Sequence, residues 1–193
     1  MDKVLIIIDM QNDFIDGILG SSAARKACDN TINKIKNWNG ADIIYTLDTH
    51  FADEYGESIE GKTVPEHCFY KTWGWQLHEF IATALGKFLF TKQTNNIHQV
   101  EKKTFGSIIS LQQEIEKCLE TYSEELYEIH ICGLCTDICV ISNALILRAA
   151  FPATRIIVDA SCCAGSTKER HKAALEVMKA NCIEIIGEDR NGY

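Results

Sequence analysis

Apolar residues recur along this chain in two alternating rhythms. Residues 3–9 read KVLIIID, a near-continuous apolar run that predicts a strand buried on both faces. Residues 23–38 follow with helical spacing, and residues 42–47 (DIIYTL) predict a second strand. From 48 to 75 the pattern breaks into an irregular stretch holding Gly56, Gly61, Pro65 and Gly74. Residues 76–85 predict a helix, and 87–90 with 99–101 predict short strand pieces. Ile108, Leu111, Ile115, Cys118 and Leu119 share a helical face, so residues 107–119 predict a helix. Strands are predicted at 126–132, 154–158 and 182–186, and a mostly apolar helix at 137–150. Ser166-x-x-Glu169 has the form of a capping box opening a helix that runs to Ala180.

Such alternation predicts a three-layer α/β fold, a six-stranded, mainly parallel sheet with right-handed crossovers and helices on both faces. No repeat, low-complexity segment or linker interrupts residues 1–193, so a single domain is expected. Ligands of open α/β sheets bind beyond the carboxyl ends of the strands. The residues to inspect are therefore Asp9, Asp48, His50, Lys102, Lys103, 133–139 and 159–165. The stretch from 48 to 75 is the one long irregular loop, and loops of that length are usually functional.

Composition narrows the classes. With 46% hydrophobic and 24% charged residues, the chain of 193 residues suits a soluble globular protein with one sizeable core. A net charge of -8 and the lack of any Lys/Arg run exclude a global attraction for nucleic acid or anionic membrane. The apolar run from Val4 to Ile8 is too short for a signal sequence or a membrane span, so a cytoplasmic location is expected. The nine cysteines, an odd number without an export signal, argue against a disulfide framework. Most should be reduced, buried and inert.

One placement separates Cys139 from the rest. The fourth strand runs through Gly133-Leu134-Cys135-Thr136-Asp137-Ile138-Cys139 directly into a helix. A thiol in a first helical turn is favoured as thiolate by the macrodipole, and free N–H groups there can hold an oxyanion. Cys132-x-x-Cys135 has the spacing of a redox or zinc pair, but no second pair accompanies it. Asp9 ends the first strand and faces the same crevice, while Asp13 is the better local cap. Of the neighbours Lys102 and Lys103, at most one can face the crevice, because adjacent strand residues point oppositely. A cysteine hydrolase needs a base for the thiol proton, and a nearby cation favours both carboxylate and thiolate. Asp48-x-His50 can present two side chains to one ion, and Glu60 and His67 follow in the same loop. Two imidazoles with carboxylates suit zinc, iron or manganese.

These segments also resemble a known family. Ile6-Ile7-Ile8-Asp9-Met10-Gln11-Asn12-Asp13-Phe14 resembles the opening of the isochorismatase-like hydrolases. Asp48-x-His50 is similar to the metal motif of their nicotinamidase branch. Lys102-x-x-Phe105 resembles the catalytic lysine segment, and Gly133-Leu134-x-Thr136-Asp137-x-Cys139-Val140 the nucleophile segment. The motifs come in the family's order and span about residues 4 to 185. The resemblance implies the isochorismatase-like hydrolase fold and a triad of Asp9, Lys102 and Cys139. It implies an oxyanion hole from the N–H groups of Cys135 and Cys139, with a cis peptide between Leu134 and Cys135. It implies metal ligation by Asp48, His50, Glu60 and His67, with zinc first and iron or manganese as alternatives, the metal also orienting a pyridine nitrogen. Phe14, Val64 and Phe105 would line the substrate pocket. Val64 stands where nicotinamidases carry an aromatic residue before the proline, and the loop after His50 departs from their wording. The implied activity is metal-assisted nicotinamide hydrolysis through a Cys139 thioester, within NAD salvage. Other small amides, or an isochorismatase-type ether, are the alternatives. The only partner implied is the small-molecule amide, and the resemblance allows a homo-oligomer.

Overall fold

Val4 to Ile8 are completely buried, and this run forms β1 (Lys3–Ile8) near the middle of a six-stranded sheet. The computed structural model describes residues 3–40, 42–92, 96–120 and 128–190. The other strands are β2 (Asp42–Asp48), β3 (Ile97–Lys102), β4 (Glu128–Leu134), β5 (Arg155–Ala164) and β6 (Glu184–Ile186). Their order is β3-β2-β1-β4-β5-β6, and every neighbouring pair is parallel. The helices are α1 (Asn12–Ile15), α2 (Ser22–Lys36), α3 (Ala52–Tyr55), α4 (Glu79–Lys92), α5 (Ser110–Glu120), α6 (Ile141–Ala150) and α7 (Lys168–Ala180).

This order locates the ligand crevice. The chain moves outward in one direction from β1 to β3, then crosses to β4 and moves outward in the other. Right-handed crossovers therefore place α2 and α4 on one face and α5, α6 and α7 on the other. The direction reverses between β1 and β4, and a crevice opens at the carboxyl ends beside such a switch point. Gly133 allows the close approach there: its φ is 132°, and a Cβ would lie 2.1 Å from the Ile8 carbonyl oxygen.

Several elements differ from the sequence expectation. Residues 87–90 are not a strand but continue α4. Ile81, Ala84, Leu85 and Phe88 are buried at helical spacing, and the helix runs on through Gly86. β5 runs six residues further than expected, to Ala164, through a register shift opposite Ile131 and Gly133. Asp159 is consequently inside the strand, paired with Lys34 at 2.7 Å, and only the end of the 159–165 segment reaches the crevice. The cap of α7 is Thr167, whose hydroxyl accepts from the Arg170 N–H, while Ser166 bonds to Asp137 instead. Asp13 does not cap α1; its carboxylate accepts from the Cys68 N–H at 2.8 Å. Of the expected fourth strand, residues 126 and 127 lie outside the described residues.

Candidate active site

Asp9 leaves β1 with a φ of 47°, a left-handed conformation that non-glycine residues rarely adopt. Thr46 of β2 secures it from two sides. The Thr46 hydroxyl donates to Asp9 Oδ1 at 2.6 Å and accepts from the Asp9 N–H at 3.1 Å. Asp9 Oδ2 lies 2.7 Å from Lys102 Nζ and has no hydrogen bond to any other group among the described residues.

Lys102 ends β3 and is buried, whereas Lys103 is exposed, as strand alternation requires. Its ammonium lies 2.7 Å from Asp9, 3.0 Å from Asp48 Oδ1 and 3.5 Å from Cys139 Sγ. Burial opposes its charge, but Asp9, Cys139 and Asp48 outweigh that and hold its pKa well above the ordinary lysine value. Burial raises the Asp9 pKa, with Lys102 opposing. Burial likewise pushes the Cys139 thiol well up, with Lys102 again opposing. The helical-turn expectation of a lowered thiol pKa meets an opposing effect: burial raises it, and Lys102 only partly offsets that.

Cys139 sits in a π turn, Thr136–Val140, rather than a regular first turn. The Cys135 carbonyl accepts from the N–H groups of Ile138, at 3.1 Å, and Val140, at 3.0 Å. Among the described residues, the Cys139 N–H between them makes no bond to that carbonyl. The peptide between Leu134 and Cys135 is cis. Asn143, fully buried, ties the turn to the lysine loop. Its amide donates to the Cys139 and Phe105 carbonyls and its oxygen accepts from the Ser107 N–H. Asn143 was not singled out from the sequence, where it reads as one more residue of an apolar helix.

Asp48, His50, Glu60 and His67 converge beside the triad, each with a ligand atom within 4.8 Å of the others. Asp48 Oδ2 is 3.1 Å from His50 Nε2 and 3.2 Å from His67 Nε2. Glu60 Oε1 is 3.6 Å and 3.7 Å from the same two nitrogens. That oxygen is buried without a hydrogen bond among the described residues, as expected of a ligand facing an ion. His67 Nδ1 is 2.8 Å from the Pro65 carbonyl, which can only accept. The proton therefore belongs on Nδ1, and Nε2 turns its lone pair to the cluster. Burial opposes charge on His50, but Asp48 and Glu60 hold its pKa up to about 9. Burial opposes charge on Asp48 too, yet Lys102 and the two imidazoles hold it well below the usual carboxylate range. Donor set, orphaned oxygen and tautomer together fit a divalent metal.

Two supporting residues were also missed. Gln11 donates to the Asp48 and Trp75 carbonyls and accepts from the Asp48 N–H, locking the backbone of that candidate ligand. The Tyr55 hydroxyl lies 3.2 Å from the Val64 and Pro65 carbonyls and 3.1 Å from His67 Nδ1. Only its contacts, not its place in an irregular loop, mark it. Tyr55→Phe is expected to weaken metal affinity by about tenfold or more, the usual effect of losing a group that orients a ligand. Metal titration of the two proteins measures this, and equal affinities would remove Tyr55 from the site.

A cavity of about 390 Å³ opens over these groups, a size suited to a small molecule. Phe14, Val64 and Phe105, the three expected substrate residues, all line it with Cys135, Cys139 and the metal cluster's Asp48, Glu60 and His67. Arg170 reaches its rim and bonds only weakly to Ser166, at 3.4 Å.

A buried thiol, cation and carboxylate meet at the switch point of an all-parallel α/β sheet, the arrangement of a hydrolase in the family that the chain matches. The chain belongs to the isochorismatase family: the isochorismatase domain model matches residues 3–189. A curated relative, the uncharacterised isochorismatase family protein PncA of Bacillus subtilis, is 30% identical over 91% of this chain and 93% of its own. The crystal structure of nicotinamidase/pyrazinamidase PncA from Bacillus subtilis superposes with a TM-score of 0.77 at 26% identity. It covers 96% of this chain and 99% of that one. The pyrazinamidase of Pyrococcus horikoshii, solved in complex with zinc, has the same fold, with a TM-score of 0.73 at 22% identity. The match covers 96% of this chain and 99% of that one.

Proposed function

We propose that this hydrolase is a metal-assisted cysteine amidase, with nicotinamide as substrate and nicotinate and ammonia as products. One observation carries the reading: a single buried ammonium, Lys102 Nζ, touches Asp9, Cys139 and the Asp48 of the metal cluster. The similarity to solved nicotinamidases supports the choice of amide bond.

The residues divide the work as follows. At rest the Cys139 thiol is neutral, because burial opposes the thiolate. Asp9 is a stronger base than an ordinary carboxylate for the same reason. Transfer of the thiol proton to Asp9 moves a negative charge from one neighbour of Lys102 to another, so the cation stays compensated throughout. The thiolate attacks the amide carbon, and the N–H groups of Cys135 and Cys139 receive the oxyanion. The C–N bond breaks as Asp9 returns its proton to the departing nitrogen, leaving a thioester that water hydrolyses. Asp48, His50, Glu60 and His67 would hold the metal, zinc first by its ligand set with iron or manganese as alternatives. When bound it supplies a Lewis acid at the cavity wall that orients the substrate ring. Among the described residues no helix is long and apolar enough to cross a membrane; the proposed role is in cytoplasmic NAD salvage.

Ammonia release from nicotinamide, with and without chelator, tests the proposal in wild type and Cys139→Ala. Activity that needs both metal and Cys139 is the expected result. Turnover indifferent to chelator would remove the metal from the reaction. Silence on nicotinamide with turnover of other small amides would favour the second reading. Val64, an aliphatic residue on the cavity wall where nicotinamidases carry an aromatic one, is the observation behind that reading.

A further inference from the structure

Away from the cleft, the starts of β2 and β3 meet α5 at a second cluster of ligand-type side chains. Asp42 opens β2, His98 is the second residue of β3, and Cys118 lies near the end of α5. One atom from each lies within 4.8 Å of the other two. His98 Nε2 is 3.6 Å from Asp42 Oδ1 and 4.0 Å from Cys118 Sγ. Its other nitrogen, Nδ1, is 2.8 Å from Glu114 Oε1, one turn before Cys118 on α5. Asp42 is only 3% exposed, and its Oδ2 is buried with no hydrogen bond among the described residues. His98 is its one ion-pair partner among those residues.

These separations suit an ion better than a hydrogen-bond network. An N–O distance of 3.6 Å is too long for a good hydrogen bond. Zinc binds nitrogen and oxygen at about 2.0–2.1 Å and thiolate at about 2.3 Å, so tetrahedral edges come to about 3.3–3.6 Å. The two edges at His98, 3.6 Å and 4.0 Å, reach those values by closing a few tenths of an ångström, and the third, between Asp42 and Cys118, closes from within 4.8 Å. Glu114 gives the arrangement its orientation: a carboxylate on Nδ1 keeps the proton there and directs the Nε2 lone pair inward. The His98 side chain is 30% exposed, which leaves an entry path and room for a water as fourth ligand.

We propose that Asp42, His98 and Cys118 form a second metal site, for a thiophilic divalent ion of the zinc class. Binding forms a metal–sulfur bond, and the Cys118 proton leaves to solvent. The site lies at the opposite ends of the strands from the catalytic crevice. Its role is structural, pinning α5 to the β2–β3 edge of the sheet.

Cobalt(II) is the probe, because a thiolate ligand gives it a charge-transfer band in the near ultraviolet. None of Asp48, His50, Glu60 and His67 is a thiol, so the band separates the two sites. Wild type is expected to bind two cobalt ions per chain and to show the band. Cys118→Ser and His98→Ala should each bind one ion and lose it. His50→Ala, which removes a ligand of the first site, should keep it. Ammonia release by Cys118→Ser should match wild type if the amidase reading holds, and the cobalt result stands whether or not it does. Absence of the band in wild type would overturn the proposal, as would its survival in Cys118→Ser. Folding of each variant is checked by circular dichroism, and either Cys118→Ser or His98→Ala alone suffices for the decision.

Discussion

Cys139→Ala is expected to lower kcat/KM by on the order of 10⁴-fold or more while leaving the fold intact, the scale seen when a nucleophile is deleted. The side chain is small, and alanine keeps the backbone N–H that the π turn leaves unbonded to the Cys135 carbonyl. Substrate should therefore still enter and bind, and the loss should appear in kcat. Cys135→Ala provides the contrast. Its proposed part is played by the backbone, so activity should stay within about tenfold of wild type. Steady-state kinetics with a denaturation curve for each variant separates the cases. Equal losses at both cysteines would point to a dithiol reaction and would sink the thioester mechanism.

Lys102→Met should be worse for the protein as a whole. The ammonium lies between two carboxylates that are almost completely buried, Asp9 and Asp48. Removing one partner of a buried ion cluster strands the others, a loss of about 3–5 kcal/mol. Activity should fall below detection, whereas Lys103→Ala, on the solvent side of β3, should be mild. The direction with pH follows from Asp9. Its pKa is already raised above the ordinary 3.8 by burial, and loss of Lys102 removes the main opposing influence. A carboxylate raised in the folded state favours folding while protonated and disfavours it once ionised. The Asp9 part of the variant's stability deficit should therefore open as pH rises above the value Asp9 has in wild type, itself above 3.8, and vanish in acid below it. Urea unfolding across that range measures it. A deficit independent of pH would mean that Asp9 does not sense the ammonium.

Much of this could be read from residue order. The IIID run announced β1 because a strand buried on both faces must be apolar throughout. Adjacent lysines at a strand end implied one buried and one exposed, which is what β3 shows. The misread elements have equally local causes. Residues 87–90 were expected as a short strand piece, yet the buried side chains of α4 keep helical spacing from Ile81 through Phe88. The end of β5 was lost because a register shift has no signature in composition.

The sequence by itself determined the alternating α/β architecture, the strand ends where chemistry could occur, and the residue types available there. These depend on periodicity and on local conformational preference, which are properties of neighbours in the chain. Only the tertiary structure decided which groups meet. The 3.5 Å between Lys102 and Cys139 joins the end of a strand to a π turn far along the chain, and the orphaned Glu60 oxygen depends on a loop with no rhythm to read. Tyr55, Gln11 and Asn143 are visible only through hydrogen bonds to the backbone of residues far along the chain or one turn away. The raised Cys139 pKa was likewise beyond the sequence. A helical turn favours the thiolate, burial opposes it, and burial is fixed only when the whole sheet has closed around the site.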